Sequence, residues 1–307
     1  MNRIFLSHPA GGQPARGCPC DRVQRHVRHA LQLFVRSGML LGAAAWQLPV
    51  SAEPIVLSDL NSQVTIDPEA DGGPAAGATS WRVDGVNQLQ QQWFWYRVGP
   101  EGPELPLGGL PYVVNLSDGD LDPGAERTVI RYTAESQFTA DVDLTVTGGA
   151  PGSGKSDLQE VIAIHNTSTQ PLDFHFFQYS HFRLGGTADD TVQISGGNTA
   201  RQSDGVMNFS ETVVTPAPTA SEVAFASATR DKLNDAAPDA LDGSIGPVGP
   251  GDVTWAFQWS KVIPPGGSLL ISKDKGLAVV PEPGSSVLLA VGAALWAVFG
   301  LRRRQRA

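Results

Sequence analysis

Cysteine is nearly absent from this chain of 307 residues, and basic residues are scarce along most of it. The two cysteines, Cys18 and Cys20, lie close to the N-terminus. The rest of the chain therefore cannot form a disulfide, a thiolate metal site or a cysteine nucleophile. Residues 53–280 contain 12 Lys and Arg against 29 Asp and Glu, a formal charge of −17. Such an acidic segment repels phosphate groups, and we expect no nucleic-acid partner.

Motifs of catalysis and metal binding are also missing from this segment. It has no G-x-S-x-G elbow, and its three histidines show no H-x-H or H-E-x-x-H spacing. The acidic run at residues 118–124 departs from an EF-hand calcium loop at Pro123 and Val129, and a polar turn explains it. We expect no catalytic residue, no metal and no cofactor. Two alternatives stay open, a metal held by His175 and His181 and a secreted hydrolase whose site the sequence does not display.

The pattern that the sequence does contain has a period of two. Residues 138–146 alternate apolar side chains with Thr and Asp, and residues 253–259 alternate Val, Trp and Phe with smaller or polar residues. Strict alternation places the apolar side chains on one face of a β-strand. Gly- and Pro-rich clusters separate shorter candidate strands, which are residues 64–66, 111–116, 128–132, 173–184, 191–195, 206–209, 223–226 and 268–272. We predict an all-β fold, an antiparallel β-sandwich or jelly roll over residues 53–276.

One aromatic cluster permits two interpretations. Consecutive large rings at residues 93–96 lie on both faces of their strand, with several glutamines just ahead. If the rings are buried they belong to the core, whose energetics aromatic residues dominate. If they are exposed, Trp93, Trp95 and Tyr96 can stack on sugar rings. That interpretation predicts a glycan-binding module of an exopolysaccharide matrix, although fold analogy alone does not establish such a function.

A phosphate-binding motif is matched in form but not in context. Residues 149–156 satisfy G-x-x-x-x-G-K-[ST], the loop that cradles nucleotide phosphates. The strand ahead of it carries Asp141 and Asp143 on its polar face, whereas the central parallel strand of a nucleotide-binding fold is apolar on both faces. A glycine-rich loop between two antiparallel strands explains the same residues. We therefore expect no nucleotide at Gly149–Ser156.

The N-terminus has the order of regions typical of a secretory signal. Four arginines between residues 22 and 36 precede an apolar stretch at residues 39–49, and small residues follow as far as Ala52. This order predicts a signal segment over residues 1–52, with signal peptidase cleaving between Ala52 and Glu53. The remaining chain is then exported across the inner membrane.

The C-terminus contains an uncharged apolar run at residues 284–301, followed by Arg302, Arg303 and Arg304. A run of this length is just sufficient to span the hydrocarbon core of a bilayer. Basic residues that flank a membrane helix stay on the cytoplasmic side, so residues 302–307 form a basic cytoplasmic tail. The two ends together predict an exported chain that the C-terminal helix anchors in the membrane.

The motif Pro281-Glu282-Pro283 stands directly before the apolar run. This motif, an apolar helix and a terminal arginine cluster together resemble the PEP-CTERM sorting signal of bacterial surface and extracellular proteins, a tail also described as an ice-binding protein C-terminal domain. The resemblance implies a linker at residues 277–283 and processing near Pro-Glu-Pro by exosortase, a membrane-embedded enzyme. The resemblance assigns no activity to the body, and we predict a non-enzymatic structural or interaction role for it at the cell surface or in the extracellular matrix.

Overall fold

The computed structural model describes residues 53–69, 73, 77–119 and 123–279. The described chain forms eighteen β-strands and one short α-helix. The strands are β1 (Ile55–Asp59), β2 (Ser62–Asp67), β3 (Gly77–Val83), β4 (Val86–Asn87), β5 (Leu89–Val98), β6 (Leu105–Pro106), β7 (Tyr112–Ser117), β8 (Arg127–Ala134), β9 (Phe138–Gly148), β10 (Ser156–Asn166), β11 (Leu172–Phe182), β12 (Asp190–Ser195), β13 (Thr199–Ser203), β14 (Met207–Thr215), β15 (Ala220–Phe225), β16 (Val248–Gly251), β17 (Val253–Ile263) and β18 (Ser268–Val279). The helix α1 (Ala228–Leu233) lies between β15 and β16.

The strands are arranged in two antiparallel sheets. The first sheet has the order β1-β2-β3-β5-β11-β17-β15, with β4 paired to β3 and β6 paired to β5. The second sheet has the order β16-β12-β13-β14-β18-β10-β9-β8-β7. The long strands β5, β11 and β17 are neighbours in the first sheet, and β14, β18 and β10 are neighbours in the second.

The two sheets pack face to face around a core rich in aromatic rings. Strand β9 buries alternate side chains from Phe138 to Val146 and leaves the intervening Thr and Asp residues partly exposed, as a strand with one covered face must. Phe138 packs edge-on against Tyr96 of the first sheet, with ring centroids 5.1 Å apart. The indole of Trp81 donates to Ser156 of the second sheet at 3.1 Å. Apolar burial between the sheets is the main stabilising contribution to this fold.

The predicted all-β fold with antiparallel pairing is confirmed, and every predicted strand is present. Strand β18 continues through Val279, so residues 277–279 lie in a strand and not in the predicted linker. The signal segment at residues 1–52 and the apolar run at residues 284–301 lie outside the described residues. Within the described ranges, no helix combines the length and the apolar character that crossing a bilayer requires.

The loop that resembles a phosphate-binding motif joins β9 to β10, two antiparallel neighbours. A strand follows it, whereas a phosphate-binding loop precedes a helix. Its backbone N–H groups already have acceptors within the protein. Gly152 and Gly154 donate to the carboxylate of Asp84 at 2.5 and 2.7 Å, and Gly149 donates to Asn61 at 2.7 Å. The pKa of Asp84 is lowered, first by the hydrogen bond from Gly152, so the loop already binds an anion that belongs to the chain itself.

Candidate functional site

The outer face of the first sheet, which points away from the second sheet, is covered by residues 226–244. We call this stretch, which includes α1, the cover segment. Trp95 on β5 donates to Asn234 of this segment at 2.9 Å, and the backbone N–H of Leu241 donates to Gln258 on β17 at 2.9 Å. Leu233 of this segment is fully buried. The long strands β5, β11 and β17 are therefore buried on both faces over most of their length.

A polar pocket of about 380 Å³ lies where the cover segment begins. We call it the His181 pocket. It is lined by residues of β5, of β11 and the position after it, of the β15–α1 connection, of α1 and of the position between β16 and β17, namely Gln90, Gln91, His181, Arg183, Ala226, Ser227, Arg230 and Asp252. Its volume is within the range of small-molecule sites. Charged and hydrogen-bonding side chains dominate the lining, in contrast to the apolar core beside it.

Asp252 is the centre of a hydrogen-bonded triad in this pocket. Arg183 donates to it from two nitrogens, Nε at 2.8 Å and Nη2 at 2.6 Å. Nε2 of His181 lies 2.7 Å from Oδ1 of the same carboxylate. The hydrogen bonds from Arg183 lower the pKa of Asp252 to about 2, and His181 adds to the effect. Asp252 is therefore ionised at neutral pH.

The protonation state of His181 follows from its surroundings. Burial lowers its pKa, and the positive charges of Arg183 and Arg230 lower it further against the opposing effect of Asp252. The imidazole is therefore neutral at pH 7. An ionised carboxylate can only accept a hydrogen bond, so Nε2 carries the proton and Nδ1 keeps a lone pair. Among the described residues, Nδ1 has no hydrogen-bond partner.

Arg230 places a second guanidinium group at the pocket. Its Nη1 donates to Oε1 of Gln91 at 3.1 Å, and Gln91 in turn donates to the carbonyl of Gly73 at 2.6 Å. The carboxylate of Asp231 lies 3.9 Å from Nη2 and is 67% exposed, so water screens this pair. Gln91 thus fixes the position of Arg230 without neutralising its charge.

The aromatic residues that the sequence offered as a glycan platform are in the interior. Trp93, Trp95 and Tyr96 are 1%, 0% and 7% exposed. Trp95 lies under the cover segment, and Trp93 packs edge-on against Tyr132 of the second sheet at 6.1 Å. The exposed-platform interpretation is therefore wrong for these three rings, because both faces of β5 are covered.

The two histidines that the sequence placed on one strand face do share that face, but they bind different partners. His175 and His181 lie six residues apart on β11, which separates them by about 20 Å. Nδ1 of His175 lies 2.8 Å from the hydroxyl of Ser260. His181 belongs to the Asp252 triad instead. Over the described ranges, no group of three or more His, Cys, Asp or Glu side chains is arranged to hold a metal ion.

Sequence reasoning also missed a cluster of charges buried between the sheets. Glu160 on β10 contacts the ammonium groups of Lys273 and Lys275 on β18. Glu211 on β14 accepts hydrogen bonds from Gln178 at 2.6 Å and from the indole of Trp255 at 3.1 Å. The two lysines and two glutamates are completely buried. We call this group the buried ion cluster.

Electrostatics keep both signs of charge in this cluster at neutral pH. Burial alone would raise the pKa of Glu160, but Lys273 and Lys275 overcome that effect and lower it to about 2. Burial lowers the pKa of Lys273 to about 8, against the opposing attraction of Glu160. Between these values the carboxylate is ionised and the ammonium group is protonated. None of its four residues lines the His181 pocket, and we assign the cluster a structural role.

The remaining predicted site residues are at the two ends of the chain. Ala52 of the signal cleavage site lies outside the described residues, as do Pro281, Glu282 and Pro283 and the cluster Arg302, Arg303 and Arg304. Glu53 is described and exposed at the start of the sandwich. Cleavage between Ala52 and Glu53 stays a prediction.

Comparison with known families bears on the C-terminal end. Residues 279–304 match the family described as the PEP-CTERM protein-sorting motif. The tail is a PEP-CTERM sorting signal. The match begins at Val279, the last residue of β18, and it leaves the function of the body unassigned. No curated protein matches the chain.

Comparison with solved structures bears on the body. A bacterial glucoamylase complexed with acarbose matches 78% of this chain and 34% of its own length, at 7% identity and a TM-score of 0.53. The chain thus spans about a third of that enzyme. The Slr1438 protein from Synechocystis sp. PCC 6803 (77% and 100% covered, 11% identity, TM-score 0.46) and galactose 1-epimerase from Lactobacillus acidophilus NCFM (73% and 93%, 10%, 0.43) are also similar. The glucoamylase match shows a shared fold alone, and the lower TM-scores carry no functional conclusion.

Proposed function

We propose that this chain is an exported protein that its PEP-CTERM tail delivers to exosortase, and that its β-sandwich body is a structural or interaction component of the cell surface or extracellular matrix. The main observation behind the proposal is that the sorting motif begins at Val279, which is also the last residue of β18. The folded body and the sorting signal are therefore directly adjacent in the chain. Signal peptidase at Ala52–Glu53 is the other processing enzyme in this proposal.

The body has properties that suit an extracytoplasmic location. It contains no cysteine after Cys20 and needs no disulfide, because a sandwich of this size buries a large core. The outward face of β9 presents Thr and Asp side chains to solvent. The excess of acidic residues keeps such proteins apart in solution.

Removing the sorting motif is expected to change the fate of the whole chain. In a host with exosortase, the full-length chain should lose its tail and reach the surface or the medium. A variant with Pro281, Glu282 and Pro283 replaced by Ala should keep its tail and stay in the inner membrane, because the apolar run still spans the bilayer. Fractionation and intact mass measure both effects.

A chain that ends at Val280 serves as the matched control for that experiment. It lacks both the motif and the apolar run, so it should be released across the inner membrane without anchoring. Identical fractionation and processing of the full-length chain and the triple-alanine variant would disprove sorting by this tail.

Glycan binding is the second candidate function, and it needs a site other than the buried aromatic rings. The His181 pocket favours it, because guanidinium, imidazole, carboxylate and amide groups meet there at the surface. These groups can donate to and accept from hydroxyls. The third alternative, a secreted hydrolase, lacks such an observation. Glycosidase chemistry uses two carboxyl groups, and Asp252 is the only carboxylate among the described residues that line this pocket.

A further inference from the structure

We propose that the His181 pocket binds a sugar that bears a carboxylate, with Arg230 pairing with the carboxylate and Nδ1 of His181 accepting a hydrogen bond from a neighbouring hydroxyl. The inference rests on the glycan-binding candidate and names its site and its ligand class. It does not depend on export.

The charge balance of the pocket points to an anionic group. Arg183 and Asp252 form a bidentate ion pair, and their charges neutralise each other. The charge of Arg230 is only weakly balanced, since Gln91 is a neutral partner and the carboxylate of Asp231, 3.9 Å away, is 67% exposed to water. A guanidinium group has five N–H donors in a fixed plane, an arrangement that matches the two oxygens of a carboxylate. A net positive lining is notable in a body whose formal charge is −17.

The state of His181 selects against an inorganic anion that carries no proton. Its Nδ1 can only accept a hydrogen bond, and a sulfate ion has no hydrogen to donate to it. A ligand with a hydroxyl beside its carboxylate can satisfy both groups at once. Because Asp252 holds the tautomer and ring orientation of His181, this acceptor is fixed before the ligand arrives.

The size and construction of the pocket fit one sugar unit. A volume of about 380 Å³ holds a pyranose ring with its substituents and some water. The groups that bind the ligand come from β11 and α1, and both are held from behind. Asp252 and Arg183 support His181, and Gln91 supports Arg230. A site whose side chains are already oriented loses little conformational entropy when it binds.

Binding of three probes to the purified full-length chain tests the inference. Calorimetry or NMR titration should show glucuronate binding at least about 10-fold more tightly than either glucose or acetate. Glucose lacks the carboxylate that pairs with Arg230, and acetate lacks the hydroxyl that donates to Nδ1 of His181. Arg230→Gln should weaken glucuronate binding about 10- to 100-fold. Arg230→Lys keeps the charge and loses the planar arrangement of donors. Its affinity for glucuronate should lie between those of the wild type and Arg230→Gln.

Arg201→Gln is the matched control, because Arg201 is exposed on β13 and its replacement changes the net charge equally. It should bind glucuronate like the wild type. Circular dichroism checks that each variant is folded. Equal affinity for glucose and glucuronate would overturn the carboxylate assignment, and equal affinity for acetate would reduce the pocket to a simple anion site.

The remaining outcomes separate the site from the function. If Arg230→Gln leaves saccharide binding unchanged, the ligand binds at a different site and the inference about the His181 pocket is wrong. Glycan binding would then still be a candidate function. Absence of saccharide binding in the wild type would overturn both the site and that candidate. Neither result would affect the sorting of the chain, which fractionation measures independently.

Discussion

Glu160→Gln is expected to lower the free energy of unfolding by about 3–5 kcal/mol, because it leaves buried ammonium groups without their main counter-charge. Glu160 lies completely buried between Lys273 and Lys275, and Glu211 is 3.8 Å from Lys273. The amide of the variant keeps the shape of the side chain, so the loss is one of charge and not of packing. Urea unfolding followed by tryptophan fluorescence measures it.

Exposed Glu135 provides the control for charge removal, since Glu135→Gln should change stability by less than about 0.5 kcal/mol. The double variant Glu160→Met with Lys275→Met should lose less than the sum of its single variants, because it removes one charge of each sign. Equal unfolding midpoints for Glu160→Gln and Glu135→Gln would contradict a dry ion cluster between the sheets.

The same cluster predicts a pH dependence. The pKa of Glu160 falls from an ordinary value of 4.5 to about 2 on folding. Between these values the unfolded chain binds a proton that the folded chain does not. The stabilisation from this carboxylate is therefore complete above about pH 4.5 and is lost as the pH falls toward 2. In acid unfolding measurements, the stability of Glu160→Gln should therefore decrease less than that of the wild type between about pH 4.5 and pH 2.

Trp95→Ala is expected to cost about 3–5 kcal/mol of stability, because it opens a large cavity beneath the cover segment. The indole is fully buried, packs edge-on against Tyr179 at 6.3 Å and donates to Asn234 at 2.9 Å. The loss of the hydrogen bond should also loosen the cover segment, which hydrogen exchange can detect. An exposed stacking platform would instead tolerate this change.

Val262→Ala is the control for side-chain truncation, because Val262 is 67% exposed on β17. It should change the unfolding midpoint little. A cost below about 1 kcal/mol for Trp95→Ala, with the fold intact, would mean that the ring is at the surface and would restore the glycan-platform interpretation.

Strands with one solvated face could be predicted from the sequence, and strands with two covered faces or inward charges could not. Strand β9 alternates because water contacts one of its faces. Strand β5 shows no alternation, since the second sheet covers one face and the cover segment covers the other. The prediction for β18 stopped at Ser272, seven residues short of its end, because Lys273 and Lys275 are charged. Their inward direction depends on Glu160, which is more than 100 residues away in the chain.

The His181 pocket could not be predicted from the sequence, because it is formed by residues that are far apart in the chain. His181 and Asp252 meet because β11 and β17 are antiparallel neighbours, although 71 residues separate them in the chain. No motif spacing records such a contact. Arg230 reaches the same pocket from α1, which has too few turns to show a helical apolar stripe. The tail signal, by contrast, is contiguous in sequence, and it was recognised from Pro281, Glu282, Pro283 and the terminal arginines.

The most direct test of the central claim is the intact mass of the protein, measured in the extracellular and inner-membrane fractions of an exosortase-bearing host and of the same host without exosortase. We expect the extracellular chain from the first host to begin at Glu53 and to end near residues 281–283. The second host should keep the complete tail on a chain that stays in the inner membrane. A released or surface-bound chain that still carries residues 284–307, or one mass in both hosts, would contradict sorting by this signal.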